Sequence, residues 1–144
     1  MNDTRERLIG TWRLVSVSRE EIPGGKSDFF GPDPIGFINY GADDRMMVVI
    51  VRGDRHRPEG AHITASEAEA LFRSMVSYAG TYSIEGDEII HHVEISWNES
   101  WSGTQQRRLV RFEQDRLALS THPSPDPIDG KLSVRSMVWE KLRS

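Results

Sequence analysis

Hydrophobic and polar residues alternate along most of this chain, the period of a strand that buries one face. In residues 10–18, Trp12, Leu14 and Ser16 fall on one face and Arg13, Val15 and Val17 on the other. Two β-rich runs follow at 35–41 and 45–52, joined by Ala42-Asp43-Asp44, a connection short enough for an antiparallel hairpin. Five more runs, 78–84, 88–97, 104–113, 116–121 and 131–142, are each bounded by turn residues. Residues 46–51 are apolar on both faces, so that strand needs cover on its outer side as well. Residues 22–34 carry Pro-Gly-Gly and Gly-Pro-Asp-Pro and read as a long loop of flap length, holding a short strand at 28–30.

The period changes once. Within 64–77, Ala68, Leu71, Phe72, Met75 and Val76 recur at three and four, and Thr64 or Ser66 with Glu67 or Glu69 three residues on has capping-box spacing. The pattern predicts one helix over 64–77, packed outside the 46–51 strand or over an opening. Eight strands with mostly short connections and one helix favour an all-β, up-and-down antiparallel barrel, because closure removes exposed edges. Eight strands enclose a space that side chains fill or that holds one small ligand.

The 144 residues make one domain, 1–144. With 18 Lys plus Arg against 22 Asp plus Glu, the net charge of −4 leaves no excess positive charge for nucleic acid or an anionic membrane surface. Mean hydropathy is −0.52, and no apolar run approaches the roughly 18 residues of a membrane helix. The charged N-terminus lacks a signal-peptide core, so a soluble, cytoplasmic protein is expected. Zero Cys excludes thiolate nucleophiles and Cys-ligated metals, which leaves carboxylates, imidazoles, hydroxyls, Arg or binding alone.

Gly10-Thr-Trp12 resembles the Gly-x-Trp opening of lipocalins and their calycin relatives, in which the Trp plugs one barrel end. Further along come Pro34-Ile-Gly36-Phe-Ile-Asn-Tyr40, Ser77-Tyr-Ala-Gly80-Thr-Tyr82, Ile90-His-His-Val-Glu94-Ile-Ser96, Trp101-Ser-Gly103-Thr, Gln106-Arg-Arg108, Leu117-Ala-Leu-Ser-Thr121 and Val138-Trp-Glu140-Lys. In this order they are similar to the lipocalin-like domain family of small bacterial and fungal proteins, over nearly the whole chain. The resemblance implies an eight-stranded barrel with an interior cavity, and some members accompany natural-product biosynthesis; it fixes no activity.

The interior candidates follow from the faces. On the 88–97 strand the odd positions put His91 inward as a wall residue or a general acid or base, with His92 and Glu94 outward. A reversed register or a β-bulge instead brings His92 and Glu94 inside as a His–carboxylate pair. Gln106 and Arg108 share the apolar face of the 104–113 strand. Glu140, near the closed end with Trp12, is offered as partner to a buried Arg108; if a ligand takes its place, the guanidinium holds a carboxylate or an enolate-like oxygen. Ser16, Tyr40, Tyr78 and Tyr82 are assigned to the inner surface, with Gly36 and Gly80 leaving room, and Trp97 and Trp101 flank the loop after the His segment, to stack on a ligand at the barrel mouth or to cap that end. A metal would need a third ligand from His56, His62 or His122, all in loops, and none is assigned. The basic residues Arg52, Arg55, His56 and Arg57 read as a solvated loop that would draw an anion toward the opening.

The expected function is binding of a small, largely apolar or amphipathic organic molecule inside the barrel, without a cofactor. The alternative is a cofactor-independent cyclase or isomerase acting on a polyketide-like or terpenoid substrate, and a filled barrel working through its surface is a third. A homodimer is compatible with each.

Overall fold

Closure of one antiparallel sheet defines the architecture. The computed structural model describes residues 2–22, 24–27 and 30–143, so Asp28 and Phe29 of the short strand expected at 28–30 lie outside the described residues. The long strands are β1 (Gly10–Glu21), β3 (Ile35–Tyr40), β4 (Arg45–Val51), β5 (Met75–Glu85), β6 (Glu88–Ser96), β7 (Gln105–Glu113), β8 (Arg116–Thr121) and β10 (Leu132–Lys141). Two-residue strands β2 (Lys26–Ser27) and β9 (Ser124–Pro125) extend one end. Each long strand pairs with its neighbour in order, and β1 pairs with β10, which closes the eight-stranded barrel that the periodicity predicts.

Two bulges bend the wall and reset which face points inward. In β1 the pairing passes from Leu14 opposite Trp139 to Ser16 opposite Val138, so Val15 is the extra residue. Trp12 and Leu14 are buried before it, Val17 and Arg19 are the inner residues after it, and Ser16 is exposed. In β6 the pairing passes from Val93 opposite Gly80 to Ile95 opposite Ala79, which makes Glu94 the extra residue and leaves Ile95 67% exposed. Gly80 is what this bulge needs: a Cβ there would sit 1.9 Å from the His92 carbonyl oxygen. Gly36 serves a similar close approach, 2.8 Å from the Val49 carbonyl oxygen, so neither glycine leaves open space inside.

Helix α1 (Asn2–Leu8) lies at one end of the barrel. Leu8 is fully buried, its carbonyl accepts from Trp12 Nε1 at 2.8 Å, and the Arg7 guanidinium stands 3.9 Å from the centre of the Phe112 ring. Trp12 thus plugs this end, as the resemblance implies. The helix was not foreseen, because a seven-residue run that inserts only Leu8 shows no apolar period; its support is Asp3 in the first turn and Arg5 and Arg7 in the last, which suit the helix dipole.

Helix α2 (Ala65–Phe72) starts at Thr64 with the capping box to Glu67 that the sequence predicts. It stops earlier than expected. Met75 and Val76 pair with Val51 and Ile50 of β4, and strand pairing overrides an apolar spacing that fits both periods over so short a stretch. The helix buries none of its residues and sits over the rim: Trp97 Nε1 donates to the Phe72 carbonyl and Arg73 to that of Ile128. The outer face of β4 is therefore uncovered by it. Met47 is 66% exposed, and with Phe37, Val49 and Ile95 it borders an open apolar groove of about 480 Å³.

Gly80→Ala is expected to destabilise the fold by about 3 kcal/mol, since the clash is with backbone and only strand displacement relieves it. Urea unfolding followed by circular dichroism checks this, and a loss below about 0.5 kcal/mol would contradict the bulge geometry.

Candidate functional site

The interior between the α1 plug and the loops of the opposite end contains a partly enclosed cavity of about 50 Å³, space for a few water molecules. Its apolar wall includes Phe30, Ile38, Val48, Ile50, Val76 and Trp139. The polar side chains reaching it are Tyr78, His91, Arg108, Asp126 and Arg135, contributed by β5, β6, β7, the β9–β10 connection and β10.

His91 is the centre of a hydrogen-bonded chain. Its Nε2 lies 2.7 Å from the Tyr40 hydroxyl and its Nδ1 lies 2.7 Å from the Tyr78 hydroxyl. Burial, followed by the nearby positive charge of Arg108 and then His92, pushes the His91 pKa well below its ordinary value, so the ring is neutral near pH 7. A neutral ring carries one N–H. Tyr40 is fully buried and His91 is its hydrogen-bond partner, so the Tyr40 O–H donates to Nε2; the ring proton then sits on Nδ1 and is donated to Tyr78. This assigns the tautomer by bond accounting and leaves the Tyr78 O–H free for an acceptor in the cavity. Burial raises the pKa of both phenols, so each stays protonated; at Tyr78 the adjacent Arg108 opposes that rise.

Three buried arginines line or flank the space, and they are treated differently. Arg19 reaches Asp129 at 2.8 Å, Asp126 at 3.2 Å and Glu21 at 3.3 Å. Arg135 bonds Ser124 and Ser133 and lies 4.0 Å from the fully buried Asp126 carboxylate. Asp126 also accepts from the Ile128 backbone N–H at 2.8 Å. Arg108 is only 6% exposed, donates to the Arg107 carbonyl at 2.9 Å and faces Trp101 at 5.9 Å. Among the described residues no carboxylate lies within ion-pair distance of it. The expected partner Glu140 is on the outer surface with Arg13 at 2.5 Å, because the inward face of β10 is Ser133, Arg135, Met137 and Trp139.

The other sequence candidates fall elsewhere. His92 bonds Ser83 on the outer side at 2.8 Å and Glu94 pairs with Arg45 at 2.5 Å, so they do not form a His–carboxylate pair inside. Ser16 is turned outward by the β1 bulge. Tyr82 is inside, edge-on to Tyr40, with its hydroxyl donating to the Gly41 carbonyl, and Gln106 donates to Thr104. Trp97 borders the outer groove while Trp101 lines the cavity. Among the described residues no cluster of three His, Asp or Glu is placed to hold a metal ion. Sequence reasoning missed Asp126, Arg135, Arg19 and Trp139. Arg135 and Trp139 share the odd face of 131–142 with Met137, the face opposite that of Glu140.

Residues 9–142 match the model of the lipocalin-like domain family, and the chain belongs to that family. It is also 29% identical over 109 residues to a protein of Aspergillus oryzae named 4'-hydroxy-3'-methoxypropiophenone carrier protein, a match covering 67% of this chain and 96% of the relative. Both findings support small-molecule binding in general.

The neutral state of His91 has a measurable consequence. Its folded pKa is below the unfolded value, so its contribution is complete above about pH 6.5 and declines by ~1.4 kcal/mol per pH unit below that, until the folded pKa is reached. Urea unfolding at pH 7.5 and pH 5 is expected to show this loss in the wild type and a flatter dependence in His91→Gln. Equal slopes would show that His91 is not held neutral.

Proposed function

We propose that this member of the lipocalin-like domain family binds a small, largely apolar organic molecule inside the barrel. The observation that carries the reading is the cavity itself, where apolar walls converge with the Tyr78 hydroxyl, the His91 chain and the Arg108 guanidinium. The outer groove is larger, at about 480 Å³, but it is open, and none of the residues lining it is charged. Interior binding is favoured because apolar contact is strongest where water is excluded on all sides and where polar groups fix orientation.

At about 50 Å³ the cavity is smaller than a typical organic ligand, so binding involves movement of side chains at the loop end, among them Phe30 and Trp101. The named cargo of the Aspergillus oryzae relative is a phenolic aryl ketone. We take that class as the first ligand to try: a flat ring suits the walls, and ketone and phenol oxygens suit the donors.

One observation favours a second reading, the cyclase or isomerase. The Tyr40–His91–Tyr78 chain is a continuous path along which a proton can be relayed without a cofactor. In that case Tyr78→Phe lowers kcat on a polyketide-like or terpenoid substrate while its Kd changes little.

Titration with 4'-hydroxy-3'-methoxypropiophenone, followed by tryptophan emission, tests binding, since Trp101 and Trp139 line the cavity. One equivalent is expected to bind, with affinity at least ~10-fold weaker in Val76→Trp, which fills the interior, and unchanged in Phe37→Glu on the outer groove. Binding that resists Val76→Trp and disappears in Phe37→Glu would move the site to the surface.

A further inference from the structure

The hydrogen-bonding inventory of the cavity is one-sided. Arg108 presents a guanidinium, a group with donors and no acceptor. Tyr78 retains its O–H once His91 and Tyr40 have been accounted for. Trp139 lines the same cavity, is 1% exposed, and its Nε1–H has no hydrogen-bond partner among the described residues. The carboxylate that reaches the cavity, Asp126, already faces Arg19, Arg135 and the Ile128 N–H. A buried donor without a partner is costly: the Trp139 N–H has none among the described residues, the Tyr78 hydroxyl proton is uncommitted, and Arg108 keeps N–H groups beyond those given to the Arg107 carbonyl and Tyr78, so the space favours acceptors in what enters it.

Charge adds a second constraint. Arg19, Arg135 and Lys131 share Asp126, Asp129 and Glu21, three positive charges among three negative ones. Arg108 lies outside that cluster, and its other neighbours, His91, Tyr78 and Tyr40, are uncharged at neutral pH. Among the described residues its positive charge is therefore buried without a paired carboxylate, an arrangement that disfavours the empty barrel and favours an anion within it.

We infer that the ligand is an organic acid bound as its anion, with a carboxylate or an ionised phenol or enol oxygen seated between Arg108 and Tyr78 and within the donor set that includes Trp139. This deepens the binding function proposed above and rests on it. The apolar remainder of the ligand lies along Ile38, Val48 and Ile50. An anionic oxygen satisfies the Tyr78 and Arg108 donors together, as two convergent donors do for developing charge on oxygen in enzyme sites. A neutral ligand would leave the charge of Arg108 unanswered.

The test uses the full chain with benzoate, its neutral analogue benzamide, and 4-nitrophenol, whose ionised form absorbs visible light. An anionic site is expected to prefer benzoate or 4-nitrophenolate over benzamide by at least ~10-fold, the size of a charge-assisted hydrogen bond. Bound 4-nitrophenol is expected to ionise at lower pH than in free solution. Both effects should vanish in Arg108→Gln while benzamide affinity changes little, and the tighter of the two anions identifies carboxylate or phenolate as the source. Melting of the ligand-free protein gives an independent reading. Arg108→Leu is expected to raise Tm, because it removes an uncompensated buried charge; a fall of several degrees would make Arg108 a structural residue and overturn the proposal. Equal binding of benzoate and benzamide, indifferent to Arg108→Gln, overturns the anion and leaves barrel binding standing. Failure of every probe to perturb the cavity tryptophans overturns both.

Discussion

Everything inside this protein depends on the pairing of β1 with β10. A sheet of eight strands left open would expose two edges and admit water to both faces, and the interior donors would then be solvated like any others. Closure turns the inner face into a place where unpaired polar groups are costly and therefore informative. Closure also demands curvature. The extra residues Val15 and Glu94 supply it, and Gly80 is the position at which β5 approaches the bulged β6 too closely for a side chain. The same two bulges decide that Arg19 is inside, that Ser16 is outside and that Ile95 is solvent-facing. Backbone geometry, more than the identity of the side chains, thus sets the polarity of the cavity.

The barrel buries guanidinium groups in two ways, and the contrast separates scaffold from site. Arg19 and Arg135 are tied to Asp126 on a loop whose own turn is fixed by Asp126, so these charges anchor the β9–β10 connection over one end of the barrel. That connection is fastened further by Asn98 bonding the Pro127 carbonyl and Arg73 bonding the Ile128 carbonyl. The mouth is therefore held by polar contacts among loops and helix α2, with little apolar burial beneath the helix itself. Regions of that kind open locally at lower cost than the strands, which fits a cavity that enlarges when occupied. Arg108 stands apart from this network while facing the same space.

The eight strands were legible because each buries one face, and the period of two survives any error in boundaries of a residue or two. The pocket histidine was legible for the same reason: His91 lies in phase with Ile89 and Val93. What the alternation hides is where it is interrupted. A bulge leaves no mark in hydrophobicity, so Ser16 was assigned by extrapolating a phase that Val15 breaks. On β10 both faces carry apolar residues, and amphipathicity therefore had no basis for preferring Trp139 and Arg135 over Val138 and Glu140. Helix α2 lost its last residues to β5 because Met75 and Val76 satisfy both periods, and long-range pairing with β4 decided between them. Asp126 was invisible for another reason: a loop acid in a Pro-rich turn reads as solvated until the fold shows it between two arginines.

The distribution of unsatisfied polar groups inside the barrel is the strongest sign that the interior is more than a core. Away from the cavity, most buried polar groups have found partners, as Trp12 with the Leu8 carbonyl, Tyr82 with the Gly41 carbonyl and Gln106 with Thr104, while Ser96 Oγ beside the outer groove has none among the described residues. At the cavity, among the described residues, Trp139 keeps an N–H without a partner, Arg108 has no carboxylate, and the tautomer set on His91 by Tyr40 releases the hydroxyl proton of Tyr78. If the interior existed only to be stable, apolar residues of similar volume would serve better at each of these positions. The three groups at the cavity adjoin one space, and each has a donor to offer it. A cluster of donors around one small space is what the anionic ligand proposed above would answer.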